Sequence, residues 1–423
     1  MKETPELLIA HVQGRVSSVP GLAAVGMKAG VIMKVPADAF IPLPAASRLF
    51  LLPKRFPVGF DAVSGKLITL KGSQYAAAAF LPPGYTVTHS AAYVECRAAP
   101  LLPLFSYAAA GFYNGAYYAA AVKVDSDPRH DPCGIDVGEV KRRVPSFKKL
   151  FPRNRLIPHL VDCALIHGCP NAQNLFLSRY EAPLPVSPSC NAACAGCISY
   201  QRSKKCPPTQ PRITFVPSPE EIAEIALFHI KNAKDALVSF GQGCEGEPLL
   251  QADIIERAIT LIREETARGT ININTNGSRP MALARLFDAG LDSVRVSLNS
   301  ARKEYYDRYY RPRGYSFKDV VRSVQVAKKK GGWVSLNYLT MPGFTDSPGE
   351  YEALKEYIAK NHPDMIQWRN LNYDPLEYFR IVKTPEKSAA MFGVSEIIRS
   401  IGKEFPTLRS GYFNPSKRGR ISQ

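Results

Sequence analysis

From about residue 180 the chain alternates between short strand-like runs and longer helical patterns, and only a narrow set of folds accommodates that rhythm. The runs are "EAPLPVS" ahead of a group of cysteines, "ALVSFG" (236–241), "TININT" (270–275), "SVRVSL" (293–298), "WVSLNYL" (333–339) and "MIQWRNL" (365–371). Each is short and β-branched or aromatic, as strands tend to be. The segments between them read as helices. In "PSPEEIAEIALFHI", Ser218 is an N-cap, Pro219 takes the first helical position and Glu221 completes a capping box, while "DIIERAITLIREETARG" stops at Gly269. Six strands separated by helices imply parallel pairing through right-handed crossovers. The expected product is an α/β fold, a partial or complete barrel whose chemistry sits at the C-terminal ends of its strands.

The first 125 residues have a different texture. Short apolar segments such as "FDAVSGKLITL" and "AFLPPGYTVTH" are broken by Gly and Pro, which suits short strands and turns. "SYAAAGFYNGAYYAAAVKV" fits strand or helix equally. "KRRVPSFKKLFPRNR" (141–155) is dense in Lys and Arg and reads as a basic linker, either solvated or contacting phosphates. The expected division is a smaller β-rich N-terminal domain with this linker (1–170), a barrel (171–385) and a basic C-terminal tail (386–423).

A chain of 423 residues with 45% hydrophobic and 22% charged residues has room for two or three ordinary cores. The segment "MKETPELLIAHVQGRV" lacks the apolar core of a signal peptide, and no later segment reaches eighteen uninterrupted apolar residues, so a cytoplasmic, non-membrane setting is expected. Seven of the nine cysteines fall between 163 and 244, which favours reduced thiols over a disulfide framework. The formal charge of +17 would draw nucleic acid, acidic peptides or anionic cofactors, and a solvated basic surface explains it equally.

Cys190, Cys194 and Cys197 in "SPSCNAACAGCISYQ" carry the chemistry. Three thiolates on one loop can hold three irons of a [4Fe–4S] cube and leave the fourth open to a ligand, whereas structural zinc wants four closed ligands. Cys206 is the candidate that could complete such a zinc site.

With this spacing, residues 180 to 385 resemble the radical S-adenosylmethionine (radical SAM) superfamily and its partial (β/α)6 barrel. "SFGQGCEGEPLL" looks like the family's Gly-Gly-Glu-Pro segment, which implies that Gly246, Glu247 and Pro248 meet the methionyl ammonium of S-adenosyl-L-methionine. By the same resemblance Asn276, Ser297 and Asn299, at the ends of later strands, are similar to ribose or carboxylate contacts. The family usually has an aromatic residue before the third cysteine. Here Gly196 stands there, leaving adenine to Ile198 or Tyr200. The resemblance implies a radical SAM enzyme that takes an electron from a low-potential donor such as flavodoxin or ferredoxin. It cleaves S-adenosylmethionine to a 5′-deoxyadenosyl radical, and the radical abstracts hydrogen from an unidentified peptide, protein or nucleic acid.

Cys163, Cys169 and Cys206, with His167, are a candidate second metal site, and core thiols are the plainer reading. Cys244 reads as a hydrogen donor or as a buried, inert thiol. The competing function is a nucleic-acid-binding protein with a structural metal, using 141–155 and "NPSKRGRISQ" on phosphates.

Overall fold

Two sheets of opposite character organise the chain, which a computed structural model describes over residues 3–127, 132–201, 206–384 and 391–420. The first has thirteen strands between Glu6 and Lys123, all paired antiparallel. Alanines fill one of its cores, among them Ala10, Ala77, Ala79, Ala108, Ala119 and Ala121. Such small side chains let facing strands approach closely. The ambiguous Ala/Tyr stretch is a hairpin, Ala110–Tyr113 against Ala116–Lys123. Its Asn114-Gly115 turn has φ of 46° and 79°, the signature of a two-residue loop with both central residues left-handed.

The second sheet is parallel and runs in chain order: β1 (Glu181–Pro183), β2 (Leu237–Phe240), β3 (Thr270–Thr275), β4 (Ser293–Leu298), β5 (Trp333–Thr340), β6 (Met365–Asn370) and β7 (Arg409–Gly411). The six expected strands are present, and the crossover helices cover one face as the alternation requires. Helix Pro219–Asn232 opens on the expected Ser218–Glu221 capping box, and helix Ala252–Glu265 follows the next strand. Outward-facing Val238, Ile271, Ile273, Val294, Val296, Leu336, Ile366 and Trp368 join the core beneath the helices. The alternate residues carry polar groups into the lumen. Asn272 donates to Ser239 at 3.1 Å, Ser239 donates to Glu181 at 2.6 Å, and Asn414 donates to Glu181 at 3.0 Å.

Two expectations are corrected here. The segment 141–155 is no linker, because α1 (Val137–Leu150) runs through most of it and buries Val140, Val144 and Phe147 at i, i+4, i+7 spacing. Phe147 packs on Phe176 and Phe228, ring centroids 4.9 Å away in both cases. Arg142 and Arg143 pair with Glu139, and Arg155 with Glu221. The C-terminal segment is no free tail either. Helix Val394–Glu404 leads to β7, a seventh strand too short and polar to signal itself, and Lys417 pairs with Asp292 at 2.7 Å. The expected boundary at 385–386 and residues 421–423 lie outside the described residues.

The antiparallel unit docks on the C-terminal side of the barrel. Arg55, 1% exposed, pairs with Glu95 and Asp374, each at 2.9 Å, and Lys28 pairs with Asp346 at 3.0 Å. The Asn370 side chain accepts from the Val87 amide and donates to the Tyr85 carbonyl. Among the described residues no helix is long and apolar enough to cross a membrane.

Candidate active site

The loop that follows β1 carries Cys190, Cys194 and Cys197 across the mouth of the barrel, and backbone bonds fix it on two sides. On one side Ala193 and Ala195 donate to the carbonyls of Tyr310 and Tyr309, at 2.9 and 3.0 Å. These belong to helix Lys303–Tyr310, whose four tyrosines are buried. On the other, Gly246 N–H donates to Ser187 O at 2.7 Å and Glu247 N–H to Ser189 O at 2.8 Å. A Cβ on Gly246 would stand 2.5 Å from the Ser189 carbonyl carbon and closer still to its oxygen. The glycine is therefore required by the close approach of the cysteine loop. Gly196 has a similar cause, since a Cβ there would meet the Tyr309 hydroxyl at 2.8 Å.

Glu245, which the sequence reading passed over, is the fastener between the two loops. Its carboxylate accepts from the backbone N–H groups of Val186, Ser187, Gly241 and Gln242, at 2.9, 3.0, 2.5 and 3.1 Å. Burial pushes it up to about 8 against those four donors. The signal was present in a glutamate among glycines at a strand end. Glu247 is likewise buried and pushed up to about 7. Its carboxylate accepts from Leu249 N–H at 3.0 Å, Asn276 N–H at 2.8 Å and the Thr275 hydroxyl. A carboxylate has about four lone-pair sites, so one remains for a ligand.

Two cavities meet at the cysteines. The lumen cavity, about 550 Å³, is lined by Cys190, Cys194 and Cys197 with Gly246, Glu247, Asn276, Ser297 and Ile198. The outer cavity, about 780 Å³, has the same three cysteines on one wall and Arg55, Glu95, Arg212, Arg311 and Arg380 around them. Two expected contacts are absent from the lumen lining. Asn299 is fully buried, its amide donating to Tyr305 O and Tyr378 OH at 3.2 Å each, and Pro248 is buried at the start of a short 3-10 helix. Tyr200 faces the outer cavity, where the Arg212 guanidinium lies 5.4 Å from its ring centre.

The donor set suits a cationic cluster. Burial pushes the Cys190 thiol up to about 11, and burial together with Cys197 and Cys190 holds Cys194 well above its ordinary value. Cys190 and Cys194 thus resist ionisation unless a metal centre takes up the charge. The Arg212 guanidinium adds a donor 3.7 Å from the Cys197 sulfur.

The second cysteine group differs from the expected set. His159, Cys163 and Cys244 bring their ligand atoms within 4.8 Å of one another, whereas Cys206 lies by the Leu102 carbonyl at 3.7 Å and His167 lines the lumen. Cys169 is the N-cap of helix Pro170–Phe176. Cys244 is 1% exposed and lies off the lumen wall.

A parallel barrel with three thiols across its mouth and a polar lumen defines a scaffold for a metal cluster beside a polar ligand. Residues 184–353 match the radical SAM superfamily, a family that works with a [4Fe–4S] cluster and S-adenosylmethionine, and form a radical SAM domain within the chain. Among its relatives, the FeMo cofactor biosynthesis protein NifB of Klebsiella pneumoniae is 27% identical over 209 residues, 45% of this chain and 43% of that protein. Molybdenum cofactor biosynthesis protein 1 of Mus musculus is 24% identical over 197 residues, 46% of this chain and 28% of that protein. A probable GTP 3′,8-cyclase of Thermococcus kodakarensis is 36% identical over 116 residues, 27% of this chain and 36% of that protein. The chain thus spans less than half the length of these relatives. A radical SAM methyltransferase structure from Sphaerobacter thermophilus superposes with a TM-score of 0.38 at 16% identity, covering 52% of this chain and 62% of that one.

Proposed function

We propose that Cys190, Cys194 and Cys197 hold the cluster and that S-adenosylmethionine occupies the lumen beside it, for hydrogen abstraction from a substrate admitted to the same chamber. The observation that carries this reading is the position of the three thiols between two cavities. When bound, the cluster and cofactor supply a 5′-deoxyadenosyl radical. The chain's own residues orient and enclose. Glu247 offers its remaining lone pair to the methionyl ammonium, a charge-assisted bond. Asn276, held by Asn191 at 2.8 Å, and Ser297, held by Asn337 at 3.1 Å, offer polar groups to ribose or carboxylate. The tyrosine helix and the docked antiparallel unit exclude water.

The outer cavity gives a route for the electron. Arg212 and Arg311 in its lining favour an acidic, low-potential donor protein of the flavodoxin or ferredoxin kind, whereas Arg380 is paired with Glu95 and Glu377. The nucleic-acid reading loses its ground, because Arg142, Arg143 and Arg155 are in ion pairs and α1 buries its apolar face.

The test is anaerobic reconstitution followed by reduction with dithionite in the presence of S-adenosylmethionine. The parent should hold about four irons per chain and release 5′-deoxyadenosine. The Cys190→Ala/Cys194→Ala/Cys197→Ala variant should do neither, and full iron retention by that variant would refute the ligand assignment.

A further inference from the structure

Inside the lumen, beyond the groups assigned to the cofactor, two guanidinium groups share one wall. Arg295 comes from β4 and Arg369 from β6, and both line the lumen cavity and the smaller cavity behind it. Arg295 donates from Nη1 to the neutral side-chain Oε1 of Gln367 at 3.3 Å, and its buried Nε has no partner. Arg369 lies on the Tyr412 ring, 4.1 Å from its centre, and donates from Nη1 to Tyr412 O at 3.0 Å. Among the described residues neither stands within ion-pair reach of a carboxylate.

The carboxylate of the lumen floor, Glu181, is engaged elsewhere. It accepts from Ser239 at 2.6 Å, Gln242 at 2.9 Å and Asn414 at 3.0 Å. Two like charges with no ion-pair partner in an enclosed chamber, offset only at longer range by Glu181, are unfavourable, and a chain that keeps them has a use for the field they make. Burial and the neighbouring Arg369 charge bring Arg295 down to about 9, which leaves it cationic at neutral pH. Arginine forks match oxyanions, and stacking on Tyr412 fixes the plane of one fork before a ligand arrives. Close by, the Asn337 Oδ1 atom is buried with no donor, in position to accept from a ligand N–H or O–H.

We propose that Arg295 and Arg369 form an oxyanion subsite that holds a carboxylate or phosphate of the substrate inside the barrel. The proposal rests on the reading of the lumen as the reaction chamber. It makes the substrate a small anionic molecule, or the anionic end of a larger one. The methionyl carboxylate of the cofactor has the same chemistry, and the experiment separates the two sources.

Inorganic phosphate and S-adenosylmethionine are titrated separately, by calorimetry and by thermal shift, into reconstituted parent, Arg295→Gln and Arg369→Gln proteins under anaerobic conditions. The parent should bind phosphate, with a melting temperature that rises with phosphate concentration. Each variant should bind phosphate at least about tenfold more weakly, while S-adenosylmethionine affinity stays within about twofold of the parent. Without ligand, Arg295→Gln should melt no lower than the parent, since it removes a buried charge that has no ion-pair partner. That readout also shows that the variant folds. Absent phosphate binding by the parent, or equal binding by all three proteins, overturns the subsite. Weakened S-adenosylmethionine binding with unaltered phosphate binding assigns the arginines to the cofactor and overturns the substrate source. If the parent binds phosphate and fails to bind S-adenosylmethionine, the chamber assignment falls while the oxyanion subsite stands.

Discussion

Gly246→Ala is the sharpest probe of how the cysteine loop is held. The added Cβ would stand 2.5 Å from the Ser189 carbonyl carbon and 3.2 Å from Ser187 O, whereas carbon contacts settle at about 3.5–4.0 Å. The Ser187–Ser189 segment must therefore retreat by about 1 Å, since on the other side the Gly241 and Gln242 amides pin the loop to Glu245. Three hydrogen bonds lie in the path: Gly246 N–H to Ser187 O, Glu247 N–H to Ser189 O, and Ser187 Oγ–H to Ser189 O at 2.9 Å. At a net contribution of about 0.5–1.5 kcal/mol each, their loss amounts to roughly 2–4 kcal/mol. Cys190 follows Ser189 directly, so the strain is delivered to the first ligand. The expected outcome is a folded barrel by circular dichroism with a lowered melting temperature and less than half the parent's iron after reconstitution. Gly402→Ala is the control. It lies in helix Val394–Glu404 with nothing within 4 Å of the new Cβ, and should be neutral or stabilising by up to about 1 kcal/mol. Parental iron content and melting temperature in Gly246→Ala would refute the steric reasoning.

Removing Arg55 should uncouple the two sheets. Arg55→Met leaves Asp374 buried without its cation, which costs about 3–5 kcal/mol. Adding Asp374→Asn should recover much of that in urea unfolding, and a single variant within 1 kcal/mol of the parent would mean that the pair does not hold the interface. Stability should also depend on His229, which is buried with Nε2–H donating to Tyr180 O at 3.1 Å and is held down to about 4 by burial. Its folded value lies below the unfolded value of 6.5, so the unfolded chain binds more protons between the two. The neutral histidine's contribution is complete above pH 6.5 and is lost as pH falls toward 4, about 3 kcal/mol in all. Melting temperatures between pH 7 and 4.5 should fall less steeply in His229→Gln, and parallel slopes would count against the assignment.

The strands were legible because each combines an outward β-branched row with a recognisable length. "TININT" and "SVRVSL" match β3 and β4 residue for residue. β7 gave no such signal, since "RSG" is three residues with no apolar member and exists by pairing with β6. α1 was hidden by its own surface, because the basic residues that suggested a linker occupy the solvent face of a helix whose buried face is Val140, Val144 and Phe147. In the site, Gly246, Glu247, Asn276 and Ser297 reach the lumen wall together with the cysteines. Asn299 does not. Its side chain points to Tyr378, on a helix whose position no local pattern could supply.

The lumen floor also sets an order of events during synthesis. Asn414 reaches Glu181 across 233 residues and ties in Gln367 at 2.9 Å, so the chamber lacks its base until the segment after β7 has emerged. At about 5–20 residues per second a ribosome needs on the order of 10–50 s to cover that distance. Throughout it the cysteine loop is already exposed, while Glu181 has no amide from Asn414 to accept. Loop closure over such a span is entropically slow. Until that closure the thiols of Cys190, Cys194 and Cys197 stand on an open barrel, exposed to oxidation.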